Sequence, residues 1–328
     1  MSPHVTYNIY GLRVRSDLRL PVASVPDDGH VDLIVRHRGT IPRLVAPPPP
    51  VMMSDWRQVE QGWLLRYHNR TGEMLEFAFN PEASRLEIRC TMPEMTDDIT
   101  ALLVGAGLAT ALHLRGVPVL HAAAVVVDGE AILMAGAAGA GKSTLTAALV
   151  GRGMPLLAED LAVLAFGTNA IAVQAGYPRL RLCPDATLVA GKVAPNLPRV
   201  FGAFIPDDKR WLDATALPGG FRATPAPLGG IYLLAPRRQD KRTITIEPLP
   251  SHRAGLELLA HLYGARWLQL PKAKGLEWCA RIAGQTAVRW VHAPPGLERI
   301  SETADAVIAD ARRLAATAEP IEHRQDRR

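Results

Sequence analysis

The chain has 328 residues, 48% of them hydrophobic and 21% charged, which is ordinary soluble globular composition and enough for one large domain or two smaller ones. Its three cysteines, Cys90, Cys183 and Cys279, lie far apart and none sits in a C-x-x-C pair, which excludes a disulfide framework or a zinc ribbon and points to a reducing compartment. The formal charge is +5, but no Lys/Arg run interleaves with aromatics, so a nucleic-acid track is not expected and the excess charge suits an anionic ligand.

Arg13, Arg15, Asp17 and Arg19 interrupt the first twenty residues, so no signal peptide is read there. The run Ala101–Leu114 is apolar but shorter than a membrane span. A cytoplasmic protein with no membrane partner is expected.

In chain order, residues 1–95 read as a small β-rich antiparallel module. The strand-like runs are Val5–Tyr10, Val31–Val35, Trp63–Tyr67, Met74–Phe79 and Arg85–Arg89, separated by turn residues such as Gly11, Gly29 and Gly72. Pro47–Pro50 is a stiff polyproline break. Asp97–Arg115 predicts a helix capped by Thr96 or Asp97 and stopped by Gly116 and Pro118. Val119–Val127 and Ala131–Ala135 predict strands joined by an Asp128-Gly129 hairpin turn. Pro155–Ala158 and Leu161–Phe166 are further strand-like runs. Pro178–Pro227 is loop-rich, and Ile231–Leu234 and Val288–Val291 are strands. Helices are expected over Ala254–Tyr263, Leu276–Ala283 and Leu297–Thr317, and a frayed tail over 319–328.

The most informative stretch is Gly136, Ala137, Ala138, Gly139, Ala140, Gly141, Lys142 and Ser143, followed by Thr144. It fits the phosphate-binding loop (Walker A) pattern G-x-x-x-x-G-K-[ST] without a gap. Glycines let successive backbone N–H groups face one point, and the start of the next helix adds a positive dipole end. Lys142 can reach the terminal phosphates of ATP, and the Ser143 hydroxyl can ligate Mg²⁺. The flanks agree: a buried strand leads in, and Lys142–Arg152 reads as a helix ended by Gly151 and Gly153.

Glu159 and Asp160 break an apolar run, and two carboxylates there need charge or hydrogen bonds to offset their burial. Mg²⁺ on a triphosphate supplies such compensation. His121 lies near the start of the strand whose partner feeds the loop. A histidine among apolar residues is more often a satisfied core residue than a catalytic one.

Leu114–His121, Gly136–Thr144 and Gly153–Asp160 in this order resemble the C-terminal domain of HPr kinase/phosphorylase. The likeness is closer to the HPr-kinase-related serine kinases, some of which accompany peptide-modifying gene clusters, including those of lasso peptides. Gly176–Leu182 and the pattern Tyr10, Gly11, Leu12, Ser16, Leu20, Pro21 extend it. The resemblance implies an α/β fold: a P-loop (HPr-kinase-like) domain over 96–318, with a mixed or partly antiparallel sheet, beside the β-rich N-terminal module. It also implies that Lys142 and Ser143 bind phosphate and Mg²⁺, that His121 partners a catalytic acid, and that Glu159 and Asp160 match a pair that is usually Asp-Asp. The first acid of that pair takes the acceptor's proton and the second lies near the metal, so Ser143 and Asp160 are the expected metal ligands; with the longer glutamate in first place, either the site tolerates Glu159 or Asp160 carries the base role. The sequence departs from true HPr kinases at Ala122, where Gly is usual, and lacks a Glu-x-Arg-Gly signature; Arg179 or Arg181 stands near that place.

The expected function is a Mg·ATP-dependent kinase acting on a serine hydroxyl of a peptide or small protein. His121, Lys142, Glu159 and Asp160 are its catalytic candidates; Arg179, Arg181, Lys192, Lys209 and Arg210 are candidates for further phosphate or acceptor contacts. A ribosomal precursor peptide of the lasso type leads among acceptors, with a regulatory HPr-type carrier as the alternative. A nucleotide switch or ATP-binding pseudokinase is the competing class. No Asn-Lys-x-Asp motif or Leu-Ser-Gly-Gly-Gln signature supports a motor, and Leu217–Gly220 is only a superficial echo of the latter. The resemblance permits a homo-oligomer without requiring one.

Overall fold

Asp128 and Gly129 join the strands Ala122–Val127 and Glu130–Gly136 in the computed structural model of the chain. Residues 4–42, 53–92, 95–168, 170–191, 194–202, 204–236, 242–264 and 272–317 are described. Both turn residues have positive φ, +47° and +93°, the type I′ geometry that Asp-Gly favours. Glu130–Gly136 runs parallel to Ala226–Leu234, which runs parallel to Ala287–His292; Thr245–Leu249 closes that edge antiparallel. The start of Ala226–Leu234 also pairs antiparallel with Ile171–Val173. That strand pairs with Ala162–Phe166, which in turn pairs with Val119–Leu120. The result is an α/β protein with a mixed nine-stranded sheet.

This sheet is a wall between two cores because its residues alternate sides. Ala122, Ala124, Val126, Leu133 and Ala135 face one core with the helices Ser251–Leu259 and Lys272–Gln285. Ala123, Val125, Ile132 and Met134 face the other with the helices Lys142–Gly151 and Ile300–Thr317. Strands buried on both faces read as continuous apolar runs, which Ala122–Val127 does.

The described strands between Val5 and Cys90 form a separate eight-stranded sheet. It is mixed rather than antiparallel, because Leu33–Thr40 runs parallel to both its neighbours, Leu12–Ser16 and Arg85–Cys90. The meander Met53–Phe79 supplies the crossover that such a parallel pair needs. Pro47–Pro50 and the tail 319–328 lie outside the described residues.

The helical stretch Thr96–Leu114 packs between the two sheets, and Ile99, Leu103 and Leu108 share one core with Phe77, Ile88, Leu120 and Ala124. Its 19 residues are long and apolar enough to cross a membrane by length and composition, and 78% of its apolar window is buried inside the protein. No side chain caps its start; Thr96 is already inside the first turn. Its middle, Leu103–Gly107, is a π-helical stretch, a form that recurs at functional sites.

The loop-rich expectation for 178–227 needs correction. Arg179–Leu182 and Arg210–Asp213 form a two-stranded ladder there. Ala254–Tyr263 is also not one helix. The helix ends at Leu259, and the next residues turn so that Leu262 bridges Leu120 and Tyr263 N–H donates to Val119 O at 2.8 Å. Leu217–Gly220 closes the far end of the Lys142–Gly151 helix: Gly219 N–H donates to Val150 O at 2.9 Å, and a Cβ at 219 would stand 2.3 Å from Met154 O. That close backbone approach accounts for the glycine without any nucleotide role.

Candidate active site

The site is an interruption in one antiparallel ladder. Val119 pairs with Val163 and Leu120 with Ala162, while Ala124 pairs with Ala158 at the same offset. His121 on one strand and Glu159–Asp160 on the other occupy the gap. Pairing fails there because Asp160 has φ +68° and Leu161 N–H donates to Glu159 O at 2.8 Å. An i→i+2 bond around a left-handed residue is the strained γ-turn, which costs about 1–3 kcal/mol and persists where surrounding structure enforces it.

That turn aims the two carboxylates at different partners. Asp160 Oδ1 lies 3.0 Å from His121 Nε2. Glu159 Oε1 accepts from the Ser143 hydroxyl at 2.8 Å. Arg181 bridges both acids: its Nε donates to Glu159 Oε2 at 3.2 Å, and its terminal nitrogen bonds Asp160 Oδ2. The Glu159 side chain is 3% exposed, Arg181 12%, Asp160 26% and His121 40%, so the group opens to solvent on the His121 side.

Electrostatics separate the acids. Burial raises the Glu159 carboxyl above its ordinary value; Arg181 opposes this and the charge on Asp160 adds to it. Burial acts on Asp160 in the same sense, but Arg181 and the hydrogen bond from His121 outweigh it and hold that carboxyl well below the usual range. A pair of titratable groups pushed apart in this way is a hallmark of acid–base sites.

The phosphate loop faces this pair across the start of its helix. Gly139 and Gly141 take φ +79° and +97°, and Ala137, Ala138 and Gly139 are exposed. Gly136 is buried, and a Cβ there would meet Leu234 and Ala140 at 3.1–3.2 Å. Lys142 Nζ donates to Gly136 O at 2.9 Å and to Ala137 O at 3.2 Å, so the loop is pinned by its own lysine. Burial lowers the Lys142 pKa, and the two acids act against that shift. Ala140, Ser143 and Thr144 are half-buried.

The expected metal pair, Ser143 with Asp160, is not the pair in contact; Ser143 touches Glu159. Among the described basic candidates Arg181 alone bonds the acids, while Lys209 acts on Asp160 at longer range. Arg210 pairs with Asp208 at 2.7 Å and Lys209 with Asp207 at 3.5 Å, while Lys192 lies outside the described residues. Three further parts escaped the sequence reading. Gly105, in the π-helical stretch, leaves room for Arg181: a Cβ there would sit 3.8 Å from the guanidinium. His261 O accepts from His121 N–H at 2.7 Å, and burial together with Lys142 lowers the His261 imidazole to about 4. Tyr10, buried at the tip of the N-terminal hairpin, meets Tyr177 edge-on at 6.2 Å; burial raises both phenols, and both feel Arg181.

No protein family matches the chain, and no curated protein matches it in sequence. Among solved structures, the Hpr(Ser) kinase/phosphatase from Coxiella burnetii is similar over 61% of this chain and 99% of its own, with 16% identity and a TM-score of 0.32. A likeness of that size carries no functional weight, which rests instead on the geometry of the site.

Proposed function

We propose that the protein is a Mg·ATP-dependent phosphotransferase that moves the γ-phosphoryl group to a serine hydroxyl of a peptide or small protein. One observation carries the reading. A complete phosphate loop on a strand–loop–helix faces an acid pair whose members are shifted in opposite directions, one tied to the loop's Ser143 and the other to a histidine. Phosphoryl transfer asks mainly for alignment and charge stabilisation.

The donor set fits Mg²⁺. Ser143 Oγ and Glu159 Oε1 are hard oxygens 2.8 Å apart at the loop, and burial of Glu159 without full neutralisation favours a cation beside it. Ser143 and Glu159 would hold the ion, which neutralises phosphate charge when bound. Loop N–H groups cradle the phosphates, and Lys142 leaves Gly136 O and Ala137 O to meet them. Asp160, kept ionised and oriented by His121 and Arg181, accepts the acceptor's proton as its hydroxyl attacks. The Glu at 159 therefore suits the metal side and the Asp at 160 the base side. A ribosomal precursor peptide remains the leading acceptor and an HPr-type carrier the second.

Arg181 engages both acids at once, and this favours one competing reading, an ATP-binding protein without turnover. Intact-mass analysis of serine peptides and carrier proteins incubated with Mg·ATP separates the two, with Lys142→Ala as control. One added phosphoryl group on a serine, absent in the control, supports transfer. Bound ATP with no modified acceptor supports the alternative.

A further inference from the structure

Among the described residues Arg179 has no anionic partner. Its side chain makes no hydrogen bond and no ion pair with any of them, although it is half-buried. The acid opposite it on the ladder, Asp213, makes no ion pair with it; its Oδ1 accepts from Thr215 N–H at 2.9 Å and from Thr215 Oγ1 at 2.7 Å. Instead the Arg179 guanidinium lies over the Trp211 ring, 5.7 Å from its centroid. A partly desolvated guanidinium resting over an aromatic ring has its fork of donors available for bidentate capture of a carboxylate.

Its position says what it captures. Arg179 and Arg181 are two apart on one strand and share a face, and Arg181 flanks the same ring at 6.0 Å. Their guanidinium carbons are therefore at most about 12 Å apart, which an extended chain covers in about four residues. Two clefts of about 470 and 580 Å³ meet at Arg179 and Trp211. The first runs between the 17–21 turn of the N-terminal sheet and the first turns of the Thr96–Leu114 helix; the second runs past Leu197 and Pro198. Of the first cleft's other charges, Asp17 accepts from His37 N–H at 3.0 Å, Asp97 sits at a helix start, where negative charge is favoured, and Arg19, a second cation on its lining, is exposed to solvent.

We infer that Arg179 on Trp211 anchors a carboxylate of the acceptor within about four residues of the phosphorylated serine, and that the N-terminal sheet supplies one wall of the acceptor's path. This rests on the phosphotransferase reading for the identity of the ligand. The carboxylate comes either from an Asp or Glu side chain or from the acceptor's chain end.

The test is selection from a degenerate serine-centred peptide pool by immobilised full-length protein, in free-acid and C-terminally amidated forms, scored by mass spectrometry. Wild type should enrich acidic residues within four positions of serine, or free over amidated ends, by about 10-fold, as a charge-assisted hydrogen bond gives. Arg179→Gln should lose that enrichment and Arg179→Glu should invert it toward Lys and Arg, with Mg·ATP binding unchanged and a small fall in melting temperature, larger for Glu opposite Asp213. Enrichment in the amidated pool identifies a side chain, and its loss there identifies the chain end. No acidic preference in wild type, or a preference that survives both substitutions, overturns the anchor. Acid selection without phosphoryl transfer leaves the anchor standing and removes the kinase reading.

Discussion

Glu159→Gln should make the nucleotide-free protein more stable while removing its response to Mg·ATP. The substitution keeps shape and an acceptor for the Ser143 hydroxyl, but removes a charge that is 3% exposed and sits beside a second carboxylate. Replacing a buried ionic group by a neutral one is often stabilising by about 1–4 kcal/mol, against which the lost Arg181 Nε bond counts for about 1.5–3 kcal/mol. Arg181 and Asp160 remain as a neutral pair, so a net gain of about 1 kcal/mol is expected, about 1–2 °C in Tm for a chain of this size. The pH dependence fixes the cause. Glu159 is raised in the folded state, so above about pH 4.3 the unfolded chain loses that proton while the folded chain retains it, and wild-type stability falls. The Gln variant escapes this fall. Its advantage should be absent below about pH 4, grow as pH rises, and level off above the folded value of Glu159. Asp160 has the opposite sign: its depressed folded value adds stability above about pH 3.9 that is lost as pH falls, and losing the neighbouring Glu159 charge lowers it further in the variant. The assay is thermal melting in EDTA from pH 4 to 8, then with Mg·ATP. A variant less stable than wild type at pH 7, or a difference flat across the range, refutes the reasoning.

Other expectations are simpler. Lys142→Ala should lower phosphoryl transfer by about 1,000-fold or more while leaving the fold intact, measured by transfer assay and circular dichroism. Gly105→Ala should be tolerated, because its Cβ meets Arg181 at 3.8 Å, whereas Gly105→Leu should displace the guanidinium and lower kcat more than it raises KM. Gly219→Ala should destabilise by about 2 kcal/mol or more in denaturant melts, since the added carbon meets backbone oxygens at 2.3 and 2.8 Å. Tyr10→Phe should change stability by under about 1 kcal/mol, as no described group bonds its hydroxyl, while Tyr10→Ala should cost about 3–5 kcal/mol.

What was legible in the sequence was local. The phosphate loop, its flanking strand and helix, and the Asp128-Gly129 turn each announce themselves within ten residues, because glycine and aspartate carry backbone geometry with them. At Tyr10-Gly11 only the glycine marked the turn. Both residues have positive φ, +56° and +76°, but tyrosine rarely turns this way. Its ring is locked against Gly176, where a Cβ would stand 2.8 Å away, and Tyr10 N–H donates to Ala175 O at 2.7 Å. The same limit hid Arg181 among five basic candidates. Alternation puts it on a face with Arg179, but only folding brings a residue 22 positions from Glu159 onto both acids. His261 was hidden inside a helix drawn too long, because nothing local to 260–263 reveals that the chain leaves the helix to pair with Val119–Leu120.

The strained turn and the charge count argue for the same conclusion. Two carboxylates share one guanidinium, and the nearby Lys142 is spent on loop carbonyls rather than on them. In direct contact the two acids thus have one cation, while Lys142 and Lys209 act on them only at longer range, in a place where desolvation is costly. It is held by a γ-turn that a non-glycine residue adopts only under constraint. A site selected for stability alone would relieve both: glycine at 160 and a neutral residue at 159 would remove the strain and the excess charge. Keeping both costs folding energy. Under the proposed phosphotransferase reading, a cation held by Ser143 and Glu159 would offset that cost, and Asp160, bonded by both His121 and Arg181, would have to loosen one of these bonds to take a proton.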